Sequence, residues 1–316
     1  MIITVTCNPA LDKTATLARL RPRALNRLEN VIVDAGGKGV NVSRMIAELG
    51  GVSTAMGFVG GGSGTEIEDR LAAQGLTACF TRVAEPTRVN LKLMDSEGQL
   101  TELNEPGPHV TAAEYGSLTR ALREQLQPGD WVVLSGSLPR GLSAKVYSEL
   151  VELAAAQGAK ACLDADGPAL QAALRPEAGR GARPALVKPN AAELQELFGL
   201  SEPPGEEQIV RLAEALLVGG VGCVACSRGD QGAVFVNATE AWSAPALGIE
   251  LRSPVGAGDS MMAALVWSFS LGHGLADAAR LAVAASAAAC TTEGTKPPDS
   301  DLINQLIDQV ELRQLR

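Results

Sequence analysis

Trp131-Val-Val-Leu134, Ala161-Cys-Leu-Asp164 and Ala185-Leu-Val-Lys188 are short, almost wholly apolar runs separated by stretches long enough for a helix. A strand that is apolar on both sides needs cover on both sides, and parallel strands need a crossover of a dozen or more residues. The runs therefore read as strands of a mostly parallel sheet joined by helices, an α/β fold. Gly222-Cys-Val-Ala-Cys226 and Gly232-Ala-Val-Phe-Val236 extend the pattern toward the C-terminus. Met1-Ile-Ile-Thr-Val-Thr6 adds a β-branched strand that stops at the turn formers Asn8-Pro9.

Other segments depart from this alternation. Thr87-Arg-Val-Asn-Leu-Lys-Leu93 and Gln99-Leu-Thr-Glu-Leu103 alternate strictly and are joined by Asp95-Ser-Glu-Gly98, which predicts an antiparallel hairpin with one solvated face. Glu29-Asn-Val-Ile-Val33 predicts another short strand. Val42, Met45, Ile46 and Leu49 share one face of a helix over 41–49. Glycines crowd at 57, 60, 61, 62 and 64 before a helix over 65–74, and Ala-rich helices are expected over 260–271 and 276–291.

A chain of 316 residues can be one large α/β domain or two smaller ones. Its composition is 46% apolar but only 3% aromatic, so Ala, Val and Leu must build the core. The net charge of −9 argues against a nucleic-acid partner, which calls for a basic stripe. Cys223 and Cys226 form a C-x-x-C inside an apolar run; on a strand their side chains point to opposite faces and cannot share a metal. With no apolar stretch of 18 residues and no leader pattern, no membrane association and a cytoplasmic location are expected.

Four loops at strand ends carry residues suited to chemistry, and ligands of parallel sheets bind beyond the carboxyl ends of strands. Asp12, in Asn8-Pro-Ala-Leu-Asp12, reads either as a helix N-cap or as a carboxylate for hydroxyl groups. Gly36-Gly37-Lys38-Gly39 leads into a helix, where backbone N–H groups and a lysine can meet an anion; a plain glycine turn with a solvated lysine is the other reading. It is not a Walker A loop, because Gly39 stands where Ser or Thr should follow the lysine. In Lys188-Pro-Asn190-Ala-Ala-Glu193, Asn190 and Glu193 fit a site for hydrated Mg²⁺ and equally a capping box. In Ser253-Pro-Val-Gly-Ala-Gly-Asp-Ser260, glycines expose N–H groups at a helix start, and Asp259 is either an N-cap or a base for an attacking hydroxyl.

His109 and His273 are the only histidines, which disfavours a Ser-His-Asp triad or a His-ligated metal, and both read as surface loop residues. A dinucleotide-dependent oxidoreductase is disfavoured because no G-x-G-x-x-G follows the first strand.

Gly36-Gly37-Lys38-Gly39-x-Asn41 and Gly256-Ala257-Gly258-Asp259 resemble the two signatures of the ribokinase-like PfkB carbohydrate kinases. Asn8-Pro-Ala-Leu-Asp12, Gly57-Phe-Val-Gly60, Ser135-Gly-Ser-Leu-Pro139, Lys188-Pro-Asn190 and Ser227-Arg-Gly229 follow in family order, so the likeness covers essentially the whole chain. It implies a three-layer α/β/α sandwich with a small β-sheet lid. Residues 1–316 would form a single kinase domain, with lid strands from about 12–35 and 86–105.

The resemblance also assigns roles. Asp259 would be the base, with Gly256, Ala257 and Gly258 forming an anion hole; ATP would lie along Lys188, Asn190, Ser227, Gly229, Val255, Gly256 and Gly258. Asn190 and Glu193 would hold Mg²⁺ through water. Asp12, Gly37, Asn41 and Asn104 would bind the sugar, while Lys38, Arg88 and Arg27 would bind a phosphate it already carries. Leu25-Asn26-Arg27, Thr87-Arg88-Val-Asn90-Leu-Lys92 and Thr101-Glu-Leu-Asn104-Glu-Pro-Gly-Pro108 look most like members that phosphorylate the 6-hydroxyl of fructose 1-phosphate. Kinases of tagatose 6-phosphate and fructose 6-phosphate are the alternatives within the family, and a non-catalytic nucleotide-binding regulator is the alternative outside it. Such a regulator would have no need of Asp259. Gly60 to Gly64 depart from the family pattern, in which many members carry an Asp after the Val-Gly. An exposed lid hairpin invites pairing with a second copy, a homodimer.

Overall fold

Period-two and fully apolar runs become strands, and the Ala- and Leu-rich intervals become helices, throughout the computed structural model, which describes residues 1–174, 181–292 and 294–316. The first part of the chain forms β1 (Ile2–Thr6), β2 (Ala10–Leu17), β3 (Glu29–Gly36), α1 (Lys38–Glu48), β4 (Ser53–Val59), α2 (Gly61–Ala73), β5 (Thr77–Arg82), β6 (Arg88–Asp95) and β7 (Leu100–Asn104). There follow α3 (Ala112–Gln125), β8 (Trp131–Ser135), α4 (Val146–Ala156), β9 (Lys160–Asp164), α5 (Gly167–Leu174), β10 (Leu186–Val187), α6 (Ala191–Phe198), α7 (Glu206–Val218) and β11 (Cys223–Ser227). The last part forms β12 (Ala233–Asn237), β13 (Ala241–Ala244), α8 (Ala257–Ser270), α9 (Leu275–Cys290), α10 (Ser300–Ile307) and β14 (Arg313–Gln314).

Among the described residues ten strands make one sheet, in the order β14-β13-β12-β11-β10-β9-β8-β1-β4-β5. From β11 to β5 neighbours run parallel. At the other end β12, β13 and β14 pair antiparallel; between β11 and β12, and again between β12 and β13, the short links leave no room for a crossover helix. Helices cover both faces. Leu118, Leu122, Tyr147, Leu150, Leu170, Leu194 and Ile209 pack α3 to α7 on one face. Val42, Met45, Met262, Leu265, Ala282 and Ile303 pack α1, α8, α9 and α10 on the other. Cys226 belongs to the first layer and Cys223 to the second, so the C-x-x-C straddles the sheet as strand geometry requires.

A second sheet, β3-β2-β6-β7, stands apart. It joins the hairpin of β6 and β7 to β2 and β3 from the start of the chain. Ala10–Leu17 is a strand, parallel to β6 and antiparallel to β3, although Asn8-Pro9 suggested a turn leading to a helix. Leu11, Ala15 and Leu17 are buried at period two, and Asp12, in mid-strand, therefore cannot be an N-cap. The sheet is anchored by Leu11 and Ala35, which pack with Val40, Ala55, Ile67 and Leu71 between it and α2.

The glycine run at 60–64 is not a loop: α2 begins at Gly61 with Gly60 as its N-cap. Its start is tied to the residue before β6, since the Gly60 N–H donates to Thr87 Oγ1 (2.9 Å), the Thr87 N–H to the Gly60 carbonyl (2.9 Å) and Ser63 Oγ to the Thr87 carbonyl (2.6 Å). Among the described residues no helix is long and apolar enough to cross a membrane.

Candidate active site

The carboxyl ends of β1, β8, β9, β10 and β11 open into a cleft of about 1020 Å³ that the small sheet walls on one side. Asn8, Ser137, Asp164, Lys188 and Ser227 line it, one from the end of each strand, as expected for a parallel sheet.

Two helix starts point into this cleft. α1 begins after Gly37, whose φ of 114° lies in the left-handed region and where a Cβ would sit 2.8 Å from Thr6 Cγ2 and 3.1 Å from Pro9 Cα. That close approach sets Lys38 and Asn41 on the first turn, facing inward. α8 begins after Gly256, with φ 85°. Asp259 follows in its first turn, 8% exposed, and its Oδ2 accepts a 2.7 Å hydrogen bond from Asn41 Nδ2.

Asp164, at the end of β9 and 2% exposed, ties the floor together. Its Oδ1 lies 3.0 Å from Lys38 Nζ and its Oδ2 3.1 Å from Lys188 Nζ. Burial pushes the Asp164 carboxyl up, but Lys188 and Lys38 outweigh it and hold the pKa below the usual value. For Lys38, burial opposes the charge and Asp164 restores it, leaving the pKa raised. Asp259 is the reverse: burial first, then the negative charge of Asp164, push it up from 3.8 to about 6 against the opposing pull of Asn41, Lys38 and Lys188. One carboxylate of the pair is thus fixed as an anion and the other poised near neutrality.

Asn190 and Glu193 form the capping box of α6: Asn190 Oδ1 accepts the Glu193 N–H and Glu193 Oε2 accepts the Asn190 N–H, both at 2.8 Å. Both side chains also line the cleft. Burial pushes the Glu193 carboxyl up, which the Asn190 N–H resists and Asp164 reinforces. Among the described residues no group of three or more His, Cys, Asp and Glu could hold a metal by itself. With the single Asn190 side-chain oxygen and one of the two Glu193 oxygens already used in capping, this donor set fits a hydrated divalent cation held partly by substrate phosphates, and not a protein cage.

On the small-sheet side, Asp12 (6% exposed) accepts from Asn90 Nδ2 at 3.0 Å and pairs with Lys92 Nζ at 3.0 Å. Arg88 donates from Nη2 to the Asn8 carbonyl (2.9 Å) and from Nη1 to the Glu105 carbonyl (3.3 Å), while its Nε is buried with no acceptor. Burial lowers its pKa, with Asp12 opposing. Asn104 lines the cleft from β7, as do Gly229, Val255, Gly256, Ala257 and Gly258 from the opposite side.

The structure thus gathers all the sequence-derived candidates except Arg27, which lies exposed between β2 and β3 and does not line the cleft. Lys38 lines the cleft while paired with Asp164, and its charged neighbours are Asp164, Asp259 and Glu193, whereas Asp12 is the neighbour of Arg88. Asp164 was given no place in the site by the sequence, and Asn90 and Lys92 entered only within the Thr87-to-Lys92 stretch, without a role of their own. Asp164 was signalled by a charge closing a buried strand, and the other two by polar residues at period two along β6.

A buried carboxylate on a helix start, beside paired lysines in a cleft at the carboxyl ends of a parallel sheet, is an arrangement suited to phosphoryl transfer, and the family model for pfkB family carbohydrate kinases matches residues 6–302. The chain belongs to that family, and its fold is the ribokinase-like sandwich with a small β-sheet. It is 39% identical over 316 residues to the 1-phosphofructokinase of Rhodobacter capsulatus, covering 99% of this chain and 98% of that protein. It is 32% identical over 315 residues to the D-tagatose-1-phosphate kinase of Bacillus licheniformis, covering 100% of both. The crystal structure of phosphofructokinase-2 from Escherichia coli in complex with substrates and products matches with a TM-score of 0.90 at 30% identity, covering 98% of each chain.

Proposed function

We propose that this kinase transfers the γ-phosphoryl group of ATP to the 6-hydroxyl of D-fructose 1-phosphate, giving fructose 1,6-bisphosphate. The observation that carries the reading is Asp259, a buried carboxylate pushed up to about 6 on the first turn of α8. At neutral pH it is ionised, yet it is a stronger base than an ordinary carboxylate, and it can take the proton of the attacking hydroxyl. The N–H groups of Gly256, Ala257 and Gly258 at the start of α8 would face the charge that develops on the transferred phosphoryl group, with the Ala257 N–H giving up its long 3.4 Å bond to the Pro254 carbonyl.

Asp12, Gly37, Asn41 and Asn104 would hold the sugar. The acceptor's own phosphate goes to Arg88, near Asp12 at the small-sheet end, and Lys38 serves the transferred group beside Lys188 and Asp164. Arg27, outside the cleft, has no place in this reading. Lys188, Asn190, Ser227, Gly229 and Val255 would lie along ATP. Asn190 and Glu193 would hold Mg²⁺ through water, and the ion would supply positive charge at the phosphate oxygens. The small sheet acts as a lid that keeps water from the transfer. The six cysteines are unpaired, which supports a reducing, cytoplasmic setting. Whole-length similarity to a D-tagatose-1-phosphate kinase makes the 4-epimer of the sugar the second acceptor to consider.

Asp259→Asn should lower kcat by about 10²–10⁴ while ATP still binds. In the unaltered enzyme kcat should fall as pH drops through about 6, where Asp259 takes up its proton. Near-normal turnover by Asp259→Asn would remove Asp259 from the role of base.

A further inference from the structure

We propose that Lys92 is a specificity-determining residue of the acceptor site: paired with Asp12, it offsets the negative charge of the small-sheet wall, so that the cleft takes a phosphorylated sugar in preference to a neutral one. This inference rests on the acceptor being a sugar phosphate, as read above.

Lys92 is only 7% exposed and lines the cleft. Asp12 lies opposite Asn90 in the β2–β6 register, and Thr14 lies opposite Lys92. Asn90 and Lys92, two apart on β6, therefore share the face of the sheet that carries Asp12. On the other side Lys92 is paired in register with Glu102 of β7, which also lines the cleft. Lys92 thus stands between two carboxylates, one buried and one exposed. Arg44 also feels Asp12 but is paired with Asp34 at 3.7 Å.

The charges on this wall are Asp12 and Glu102 against Arg88 and Lys92, a balanced set. Without Lys92 the wall carries one net negative charge, beside the Arg88 that would hold the acceptor's phosphate. A phosphate monoester brings about −1.5 to −2 charges at pH 7, and in a partly buried wall repulsion from an unpaired carboxylate is poorly screened. A neutral sugar feels almost none of it. Stability alone does not account for the pair, because replacing a buried ion pair with neutral packing is often costless. The asymmetry is in what the cleft admits.

The test compares kcat/KM for fructose 1-phosphate with that for fructose in wild type, Lys92→Arg, Lys92→Met and Asp12→Asn/Lys92→Met. Lys92→Met should lower the preference for the phosphorylated sugar about 10- to 100-fold, chiefly through KM, with KM for ATP unchanged within about twofold. Lys92→Arg should keep the preference. The double variant, again balanced by Arg88 and Glu102, should return it to within about threefold of wild type even though both substrates are turned over more slowly. It also serves where Lys92→Met folds poorly, since it leaves no unpaired buried carboxylate. An unchanged preference in Lys92→Met overturns the inference. A double variant as unselective as Lys92→Met does so too, by placing Lys92 directly on the phosphate. A wild type with no preference for the phosphorylated sugar sinks the reading beneath the inference along with it, which separates the two failures.

Discussion

At the scale of single residues, Asp259 combines a proposed function with a cost. Its pKa stands at about 6 in the folded protein against an ordinary 3.8, so folding disfavours its charged form. The contribution of Asp259 to stability is therefore fully present below 3.8 and is lost as pH rises through 6. At pH 8 the penalty is on the order of 3 kcal/mol. Asp259→Asn, which can still accept the Asn41 hydrogen bond, should raise stability at pH 8 by about 1–3 kcal/mol, a gain that shrinks toward pH 4. Urea unfolding across that range checks it, and a variant less stable than wild type at pH 8 would contradict the assigned shift. The place of Asp259 on a helix start in the cleft was legible because Gly256 and Gly258 frame it. Asp164 was not, since nothing local in Ala161-Cys-Leu-Asp164 says that two lysines from distant loops, Lys38 and Lys188, converge on its carboxylate.

At the scale of elements, β8, β9 and β11 were legible because burial on both faces leaves apolar runs with no competing period. β2 was hidden by the Asn8-Pro9 turn signal and by an Asp12 that suits a helix cap, although the alternation of Leu11, Ala15 and Leu17 was present. The glycines at 61, 62 and 64 argued against the first turn of α2, which forms because Thr87 fastens it from outside. Asn190 and Glu193 show where spacing cannot decide: one pattern serves a capping box and a cation site, and the structure builds the capping box on the wall of the cleft. The start of α1 is the element most exposed to backbone strain. Gly37→Ala forces a left-handed residue against Pro9, and should cost about 1–3 kcal/mol while raising KM for the acceptor through displaced Lys38 and Asn41. Thermal unfolding and steady-state kinetics that both match wild type would contradict the account of this helix start.

At the scale of the whole molecule, the small sheet has two edge strands, β3 and β7. Val31, Ile32 and Leu103 on them are each about half exposed. We propose that a second copy pairs there to form a homodimer. Sedimentation of the native chain should give a dimer that Ile32→Lys/Leu103→Lys converts to monomer, and a monomeric wild type at micromolar concentration would rule it out. The charge pattern of the cleft is read through one proposed chemical assignment, a ketose 1-phosphate phosphorylated at its far hydroxyl. A coupled assay of ADP release with fructose 1-phosphate, tagatose 1-phosphate, fructose 6-phosphate, tagatose 6-phosphate and free fructose tests it most directly. The highest kcat/KM is expected for fructose 1-phosphate with fructose 1,6-bisphosphate as the product, and a preference for a 6-phosphate or for free fructose would contradict the assignment.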